Sequence, residues 1–214
     1  MKKKIAILGS TGSIGKTLFN LILREKKNFE FSLLTAHKSH KILFKQAKAL
    51  NVKNLIITNK KDYEILKQKT KNSKIKVFND FTQLDKIFKK KIDYVMSSIS
   101  GIQGLEPTIK IIKFTKKIAI ANKESIICGW NLIQSQLNKH KTEFMPVDSE
   151  HFSIWYGLKN YKSKNLENIF LTASGGPFYK TSLNKFKKIK VSDALKHPNW
   201  KMGKKISVDS ATMI

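Results

Sequence analysis

The chain has 214 residues, 41% of them hydrophobic, and carries 42 Lys and Arg against 15 Asp and Glu, for a formal net charge of +27. These values exclude a disordered or fibrous chain, and the length suffices to bury a core without disulfide or metal staples. The one cysteine, Cys128, excludes an internal disulfide and fits a reducing compartment, the cytoplasm.

Lys2 to Lys4 precede an apolar run as in a secretory signal, but the run stops at Gly9, too short for a signal core. No later stretch approaches the length of a membrane span. Lys3 to Leu8 therefore reads as a buried strand. From Ser13 to about Arg24, Ile14, Leu18, Leu21, Ile22 and Leu23 recur at helical spacing. Phe29 to Thr35 reads as a strand, Ile42 to Leu50 as a helix and Asn54 to Thr58 as a third strand. Asp62 to Lys69 is helical, Lys74 to Phe78 extended and Phe81 to Lys90 helical. Tyr94 to Ile99 is a strand, Pro107 to Phe114 a helix and Lys117 to Ala121 a strand. Ser125 to Asn138 is a helix, and Glu143 to Val147 a strand ending at Asp148. After about Tyr161 the pattern changes. A strand, Ile169 to Thr172, leads into Ser174-Gly175-Gly176-Pro177-Phe178. A polar segment then runs to His197-Pro198-Asn199-Trp200, and Lys205 to Val208 reads as one more strand.

Strand and helix alternation predicts an α/β fold, a Rossmann-type, doubly wound, mainly parallel sheet. It occupies residues 1–148 and is followed over 149–214 by a different, α+β pattern. Ligands on such a sheet sit beyond the carboxyl ends of its strands. Gly9, His37, Ser100, Asn122 and Asp148 all fall there.

The segment Gly9-Ser10-Thr11-Gly12-Ser13-Ile14-Gly15 lies between a strand and a helix. Glycines let the backbone approach phosphates, and the helix start offers free N–H groups and a positive dipole. Its glycines are spaced by threes rather than as G-x-G-x-x-G, and the context points to a dinucleotide. Ala36-His37-Lys38-Ser39 ends the second strand without the acid that usually takes the ribose hydroxyls of NAD, and its cation suits the extra phosphate of NADP. A solvated lysine on a loop is the alternative. Asn122-Lys123-Glu124 follows a strand, where it serves a ligand, a helix cap, or both. Asp148 and Glu150 are hard oxygen donors without a cysteine or histidine cluster, which suits Mg²⁺ or Mn²⁺, although taken alone the segment reads better as a surface turn, and His151 reads as structural. Ser174-Gly175-Gly176-Pro177 has the make-up of an anion-holding loop, and His197 to Gly203 that of a lid closing on substrate. For each of these two the alternative is a loop with a packed aromatic. The lysines are spread along the chain and Arg24 is the only arginine. That distribution predicts a general basic surface attracting phosphorylated ligands, with no nucleic-acid site and no membrane partner.

In order and spacing, six segments together resemble the 1-deoxy-D-xylulose 5-phosphate reductoisomerase family. They are Gly9 to Gly15, Ala121 to Ser125, Val147 to His151, Ser174 to Phe178, His197 to Trp200 and Lys205 to Met213. The resemblance covers the whole chain. It implies an enzyme that isomerises and reduces a small phosphorylated sugar to 2-C-methyl-D-erythritol 4-phosphate in the non-mevalonate isoprenoid pathway. It implies NADPH and Mg²⁺ or Mn²⁺ as cofactors, and a homodimer. Carried across, Thr11, Gly12, Ser13 and Ile14 hold the cofactor phosphates and Lys38 lies near the 2′-phosphate. Asn122, Glu124 and Gly203 complete the cofactor site. Asp148 and Glu150 bind the metal. Lys123, Ser149 and Glu150 contact substrate, with Lys123, Glu150 and His197 as the catalytic set. Ser174, His197 and Ser210 hold the substrate's phosphate or neighbouring oxygens, under a lid carrying Trp200 and Met202. His37 and Ser39 depart from the family's small residue and asparagine. The chain ends at Ile214, whereas the family continues with an asparagine, a lysine and a third carboxylate, then a helical domain. Two further expectations follow: a remnant that binds NADPH without catalysis, or a basic nucleotide- or nucleic-acid-binding module.

Overall fold

Seven short apolar runs become the strands β1 (Lys3–Leu8), β2 (Phe29–Ala36), β3 (Asn54–Ile57), β4 (Lys76–Phe78), β5 (Ile92–Ser97), β6 (Thr115–Ile120) and β7 (Glu143–Pro146). In this computed structural model, which describes residues 2–161, 166–171, 175–201 and 203–212, they form one sheet in the order β4-β3-β2-β1-β5-β6-β7. Every pairing is parallel. The doubly wound parallel sheet expected from the sequence is thus present. Strand order reverses between β1 and β5, the point at which such sheets open a crevice for ligands.

Successive β1 side chains feed opposite faces of the sheet. Ile5 and Ile7 pack with Phe19 and Ile22 of α1 (Ser13–Arg24), Leu43 and Ala47 of α2 (His40–Ala49), and Leu66 of α3 (Lys60–Thr70). Ala6 and Leu8 pack with Leu84 of α4 (Leu84–Ile87), Ile111 and Ile112 of α5 (Leu105–Ile112), and Ile133 and Leu137 of α6 (Lys123–His140). Each such fully buried Ile or Leu contributes on the order of 1.5–3 kcal/mol. Both layers are needed because a parallel sheet is apolar on both faces. In α1 the buried residues are Gly15, Phe19 and Ile22, while Ile14 and Leu21 stay exposed, so the apolar stripe lies one step off the sequence reading.

The chain divides into two compact units, 1–159 and 160–214. The first includes a helix the sequence reading lacks, α7 (Ser149–Leu158), so the division falls after α7 rather than after Asp148. The second unit contains a 3₁₀ turn (Leu183–Lys188), α8 (Val191–Ala194) and α9 (Lys204–Ser210). Two expected strands are corrected here. Lys205 to Val208 is the start of α9: Ser207, Ser210 and Ala211 are buried at helical spacing, whereas Ile206 and Val208 are exposed. Of Ile169 to Thr172, the described residues Ile169, Phe170 and Leu171 pair with no strand and are exposed, and Thr172 lies outside the described residues. The expected helix over 81–90 contracts to α4. Among the described residues no helix is long and apolar enough to cross a membrane.

Candidate functional site

Four turns at the carboxyl ends of β1, β2, β6 and β7 carry the residues singled out in the first unit. The turn after β1 is the most constrained. Gly9 has φ +80°, and a Cβ there would stand 2.8 Å from the carbonyl oxygen of Ser98, just past the end of β5. A Cβ on Gly15 would lie 2.7 Å from Ser10 Cα, so the helix start packs directly on the turn. Ser10 is fully buried and fixes the loop. Its N–H donates to Thr35 O at 2.8 Å and its Oγ to Gln46 Oε1 at 2.8 Å, while Gln46 Nε2 donates back to Ser10 O at 2.9 Å. Gly9 N–H adds a bond to Thr35 Oγ1 at 3.0 Å. Beyond this anchor Gly12, Ser13 and Ile14 are exposed and Thr11 is half-buried. Gly12 caps α1 without a side-chain bond, and the first turn holds no acid. Helix geometry leaves the N–H groups of Ser13, Ile14 and Gly15 without carbonyl partners inside the helix, so the turn presents donors and a positive dipole to an anion.

Thr35 and Gln46 do not figure in the sequence reading. Their signal is there: a polar residue inside the apolar run of β2, and a glutamine at a core-facing position between Leu43 and Ala47.

The turn after β2 exposes His37, Lys38 and Ser39, with Ser39 left-handed at φ 68°. The next turn clamps it. Thr58 N–H donates to Ala36 O at 3.2 Å and Asn59 N–H to His37 O at 2.9 Å, and His37 Nδ1 meets Thr58 Oγ1 at 2.8 Å. Asp62, on the first turn of α3, accepts from His40 Nδ1. That bond, with smaller help from the nearby Lys38 charge, holds the Asp62 carboxyl below its ordinary 3.8.

After β6, Asn122 is buried and its side chain is engaged throughout. Its Oδ1 accepts from Ser125 N–H at 2.9 Å, capping α6, and its Nδ2 donates to Gly101 O at 2.6 Å and to Ile99 O. The cap expected from the sequence is real, and the amide also ties β6 to the loop after β5. Lys123 opens α6 and is exposed, and Glu124 lies in the first turn.

After β7, Asp148 caps α7. Its Oδ2 accepts from His151 N–H at 3.3 Å and from His151 Nδ1 at 2.5 Å. Glu150 Oε2 accepts from Ser149 Oγ at 2.9 Å. The two carboxylates thus flank a helix start rather than projecting from a strand. His151 supports Asp148, consistent with its structural reading. Among the described residues no three His, Cys, Asp or Glu side chains form a metal-holding group. Two hard oxygen donors fit Mg²⁺, which commonly takes one or two carboxylates and completes its shell with water and substrate oxygens.

In the second unit, Gly175 has φ +65°, and a Cβ on Gly176 would collide with the carbonyl oxygens of Ser210 and Ala211. Phe178 N–H donates to Ala211 O at 3.0 Å. The glycine loop is therefore seated on the end of α9, where Ser210 is buried with its Oγ donating to Ser207 O at 3.1 Å. His197 Nδ1 accepts from the N–H groups of Asn199 and Trp200, both at 3.1 Å. An acceptor Nδ1 places the proton of the neutral ring on Nε2. Gly203 caps α9 and Trp200 is largely exposed. Ser174 and Met202 lie outside the described residues.

A concavity of about 1080 Å³ lies at the opposite, amino end of the sheet. Lys2, Lys4, Lys26, Lys27, Lys53 and Lys90 are among nine lysines lining it, with Glu30 and Asp93 its acids.

Comparison with known proteins gives one consistent answer. The pattern of the family described as 1-deoxy-D-xylulose 5-phosphate reductoisomerase matches residues 5–129, and that of the family's C-terminal domain matches 144–214. The reductoisomerase of Pelagibacter ubique is 61% identical over 99% of this chain and 55% of its own length. That of Wolbachia pipientis from Culex pipiens is 44% identical over 99% and 54%. Among solved structures, the Zymomonas mobilis reductoisomerase in complex with NADPH superposes with a TM-score of 0.85 at 34% identity, covering 100% of this chain and 55% of that one. A reductoisomerase in complex with NADPH, fosmidomycin and magnesium gives 0.82 at 30% identity, covering 99% and 55%. The chain spans about half the length of the curated relatives it matches.

Proposed function

This chain belongs to the 1-deoxy-D-xylulose 5-phosphate reductoisomerase family, and from that premise we propose that it serves the NADPH-dependent isomerisation and reduction of 1-deoxy-D-xylulose 5-phosphate to 2-C-methyl-D-erythritol 4-phosphate. The observation that carries the reading is the glycine turn at the point of strand reversal, with exposed helix-start donors and no competing acid. Thr11, Gly12, Ser13 and Ile14 hold the cofactor's diphosphate through backbone N–H groups. Lys38 meets the 2′-phosphate as a point charge on a clamped turn. Glu124, in the first turn of α6, belongs to the same cofactor site. Asn122 serves it by holding the loop after β5, since its amide is spent on Gly101, Ile99 and Ser125.

Asp148 and Glu150 would hold a divalent metal, Mg²⁺ or Mn²⁺, which when bound supplies charge stabilisation at substrate oxygens. Lys123, Ser149 and Glu150 contact the substrate; Lys123 offers three ammonium donors without an acceptor, suited to an anionic or developing oxyanion centre. His197, with Nδ1 accepting from its own loop, is assigned to the sugar phosphate. Ser210, on which the Gly175-Gly176 loop rests, belongs to the same phosphate-holding set, and Ser174 is assigned to it by the family resemblance. The reading carries a small phosphorylated sugar as substrate and a cytoplasmic homodimer without nucleic-acid or membrane partners.

Titration with NADPH and with duplex DNA at matched salt tests this. NADPH binding without DNA binding is expected. Tight DNA binding with no NADPH binding would overturn the reading.

A further inference from the structure

NAD-binding sheets of this architecture use an acid at the end of the second strand to accept from the ribose hydroxyls. The segment Ala36–Ser39 has none, but an acid stands next to it in space. Asp62 sits on the first turn of α3, close enough to Lys38 for the lysine's charge to favour its ionised form. A carboxylate and an ammonium in one neighbourhood attract each other, and a lysine paired in that way offers less to a phosphate. Here that pairing is pre-empted. Asp62 Oδ1 accepts from His40 Nδ1 and from His40 N–H at 3.4 Å, and among the described residues the side chain that Asp62 meets here is His40 rather than Lys38. The two partners are 19% and 18% exposed, while Lys38 faces solvent. Three further bonds, Thr58 N–H to Ala36 O, Asn59 N–H to His37 O, and His37 to Thr58, hold the turn independently of His40.

We propose that His40 is a specificity-determining positioning residue for the cofactor. By holding Asp62 through Oδ1 it draws the carboxylate toward α2, leaving Lys38 available to a 2′-phosphate and keeping Asp62 from serving ribose hydroxyls as the acid of an NAD site. This rests on the assignment of Lys38 to the 2′-phosphate given above. It also explains how an acid can stand beside an NADP-selective lysine without cancelling it.

Calorimetric Kd values for NADPH and NADH, measured on the full chain and three variants, test the proposal. His40→Ala releases Asp62 and should lower the NADPH-over-NADH preference about fivefold, mostly through weaker NADPH binding, the scale of one partly exposed ion pair. His40→Ala with Asp62→Asn removes the released competitor and should restore the preference to within about twofold of the unmodified protein. Asp62→Asn alone, with the turn's other bonds intact, should keep or raise it. An unchanged preference in His40→Ala would overturn the proposal. So would a double variant as impaired as His40→Ala, because a merely structural histidine cannot be rescued at Asp62. An unmodified chain that binds both cofactors equally would overturn the Lys38 assignment itself, and shows as such before any variant is compared.

Discussion

Replacing Gly9 by alanine puts a methyl group where the structure has no room and the backbone has the wrong hand. At φ +80° an L-residue costs about 1–2 kcal/mol. The new Cβ would stand 2.8 Å from Ser98 O and 2.9 Å from Ser98 C, main-chain atoms held by the β1–β5 pairing that cannot swing aside. Overpacking of that kind costs roughly 1–3 kcal/mol. The sum, roughly 2–5 kcal/mol, lowers the melting temperature by roughly 4–20 °C in a domain of this size. Gly12 is the internal control. A Cβ there meets only Gly9 O, at 3.4 Å, so Gly12→Ala should change stability by no more than about 1 kcal/mol. Its methyl would, however, project beside the exposed helix-start donors and weaken NADPH binding about tenfold, or about 1.4 kcal/mol. Thermal melts followed by circular dichroism, with NADPH titrations on the same samples, separate the two effects. A Gly9→Ala protein melting within about 1 °C of the unmodified one would refute the steric argument. A Gly12→Ala protein destabilised more than Gly9→Ala would refute the division of labour within the turn.

Asn122→Ala removes a helix cap and takes the amide donor from the part-buried Ile99 carbonyl, while Gly101 O keeps the Gly104 N–H, and should cost about 1–3 kcal/mol by urea unfolding. The carboxyls of Asp80 and Asp93 are held below 3.8, chiefly by hydrogen bonds from Thr82 and from Lys116 respectively. Because the folded state binds their protons more weakly than the unfolded chain does, their contribution is present above pH 3.8 and disappears as pH falls through the lowered folded values. Urea midpoints should drop over that acid range, and Asp80→Asn with Asp93→Asn should flatten the drop; an unaltered slope would contradict these assignments. Burial pushes the Tyr94 phenol up to about 12, so alkaline spectrophotometric titration should leave it protonated well after the exposed tyrosines ionise. Under the proposed function Glu150→Gln should abolish reductoisomerase turnover while leaving the NADPH Kd within about twofold of normal; loss of both would count against a metal role.

Strands and glycine turns were the legible part of the sequence, because each announces itself locally. Ile5 to Leu8 is a continuous apolar run that only a two-sided parallel sheet can bury, and Gly9 to Gly15 stands between strand and helix. Periodicity misled at Lys205 to Val208, where alternating Ile206 and Val208 mimic a strand. The deciding contact is non-local: the small residues Ser207, Ser210 and Ala211 must face inward so that Gly176 can approach their backbone. The same limit hid α7, whose side chains are nowhere fully buried and so leave no apolar stripe to read. At the candidate site, the residues touching the proposed ligands were visible as motifs, but the ones that hold them were not. Thr35, Gln46, Thr58, Asn59 and Asp62 act from other strands, turns and helices, and only the fold brings them to Ser10, His37 and His40.

The lysine-lined concavity at the amino edge of the sheet has a consequence for folding itself. Nine ammonium groups that the unfolded chain keeps apart are gathered around one hollow with only Glu30 and Asp93 to offset them. The native state therefore carries a self-repulsion that mobile counterions relieve, over a range that shrinks to about 10 Å at 0.1 M salt. Dilute buffer strains this edge and added salt relaxes it. Multivalent anions should therefore raise the melting temperature more than chloride at equal ionic strength, acting from the face opposite the proposed cofactor site.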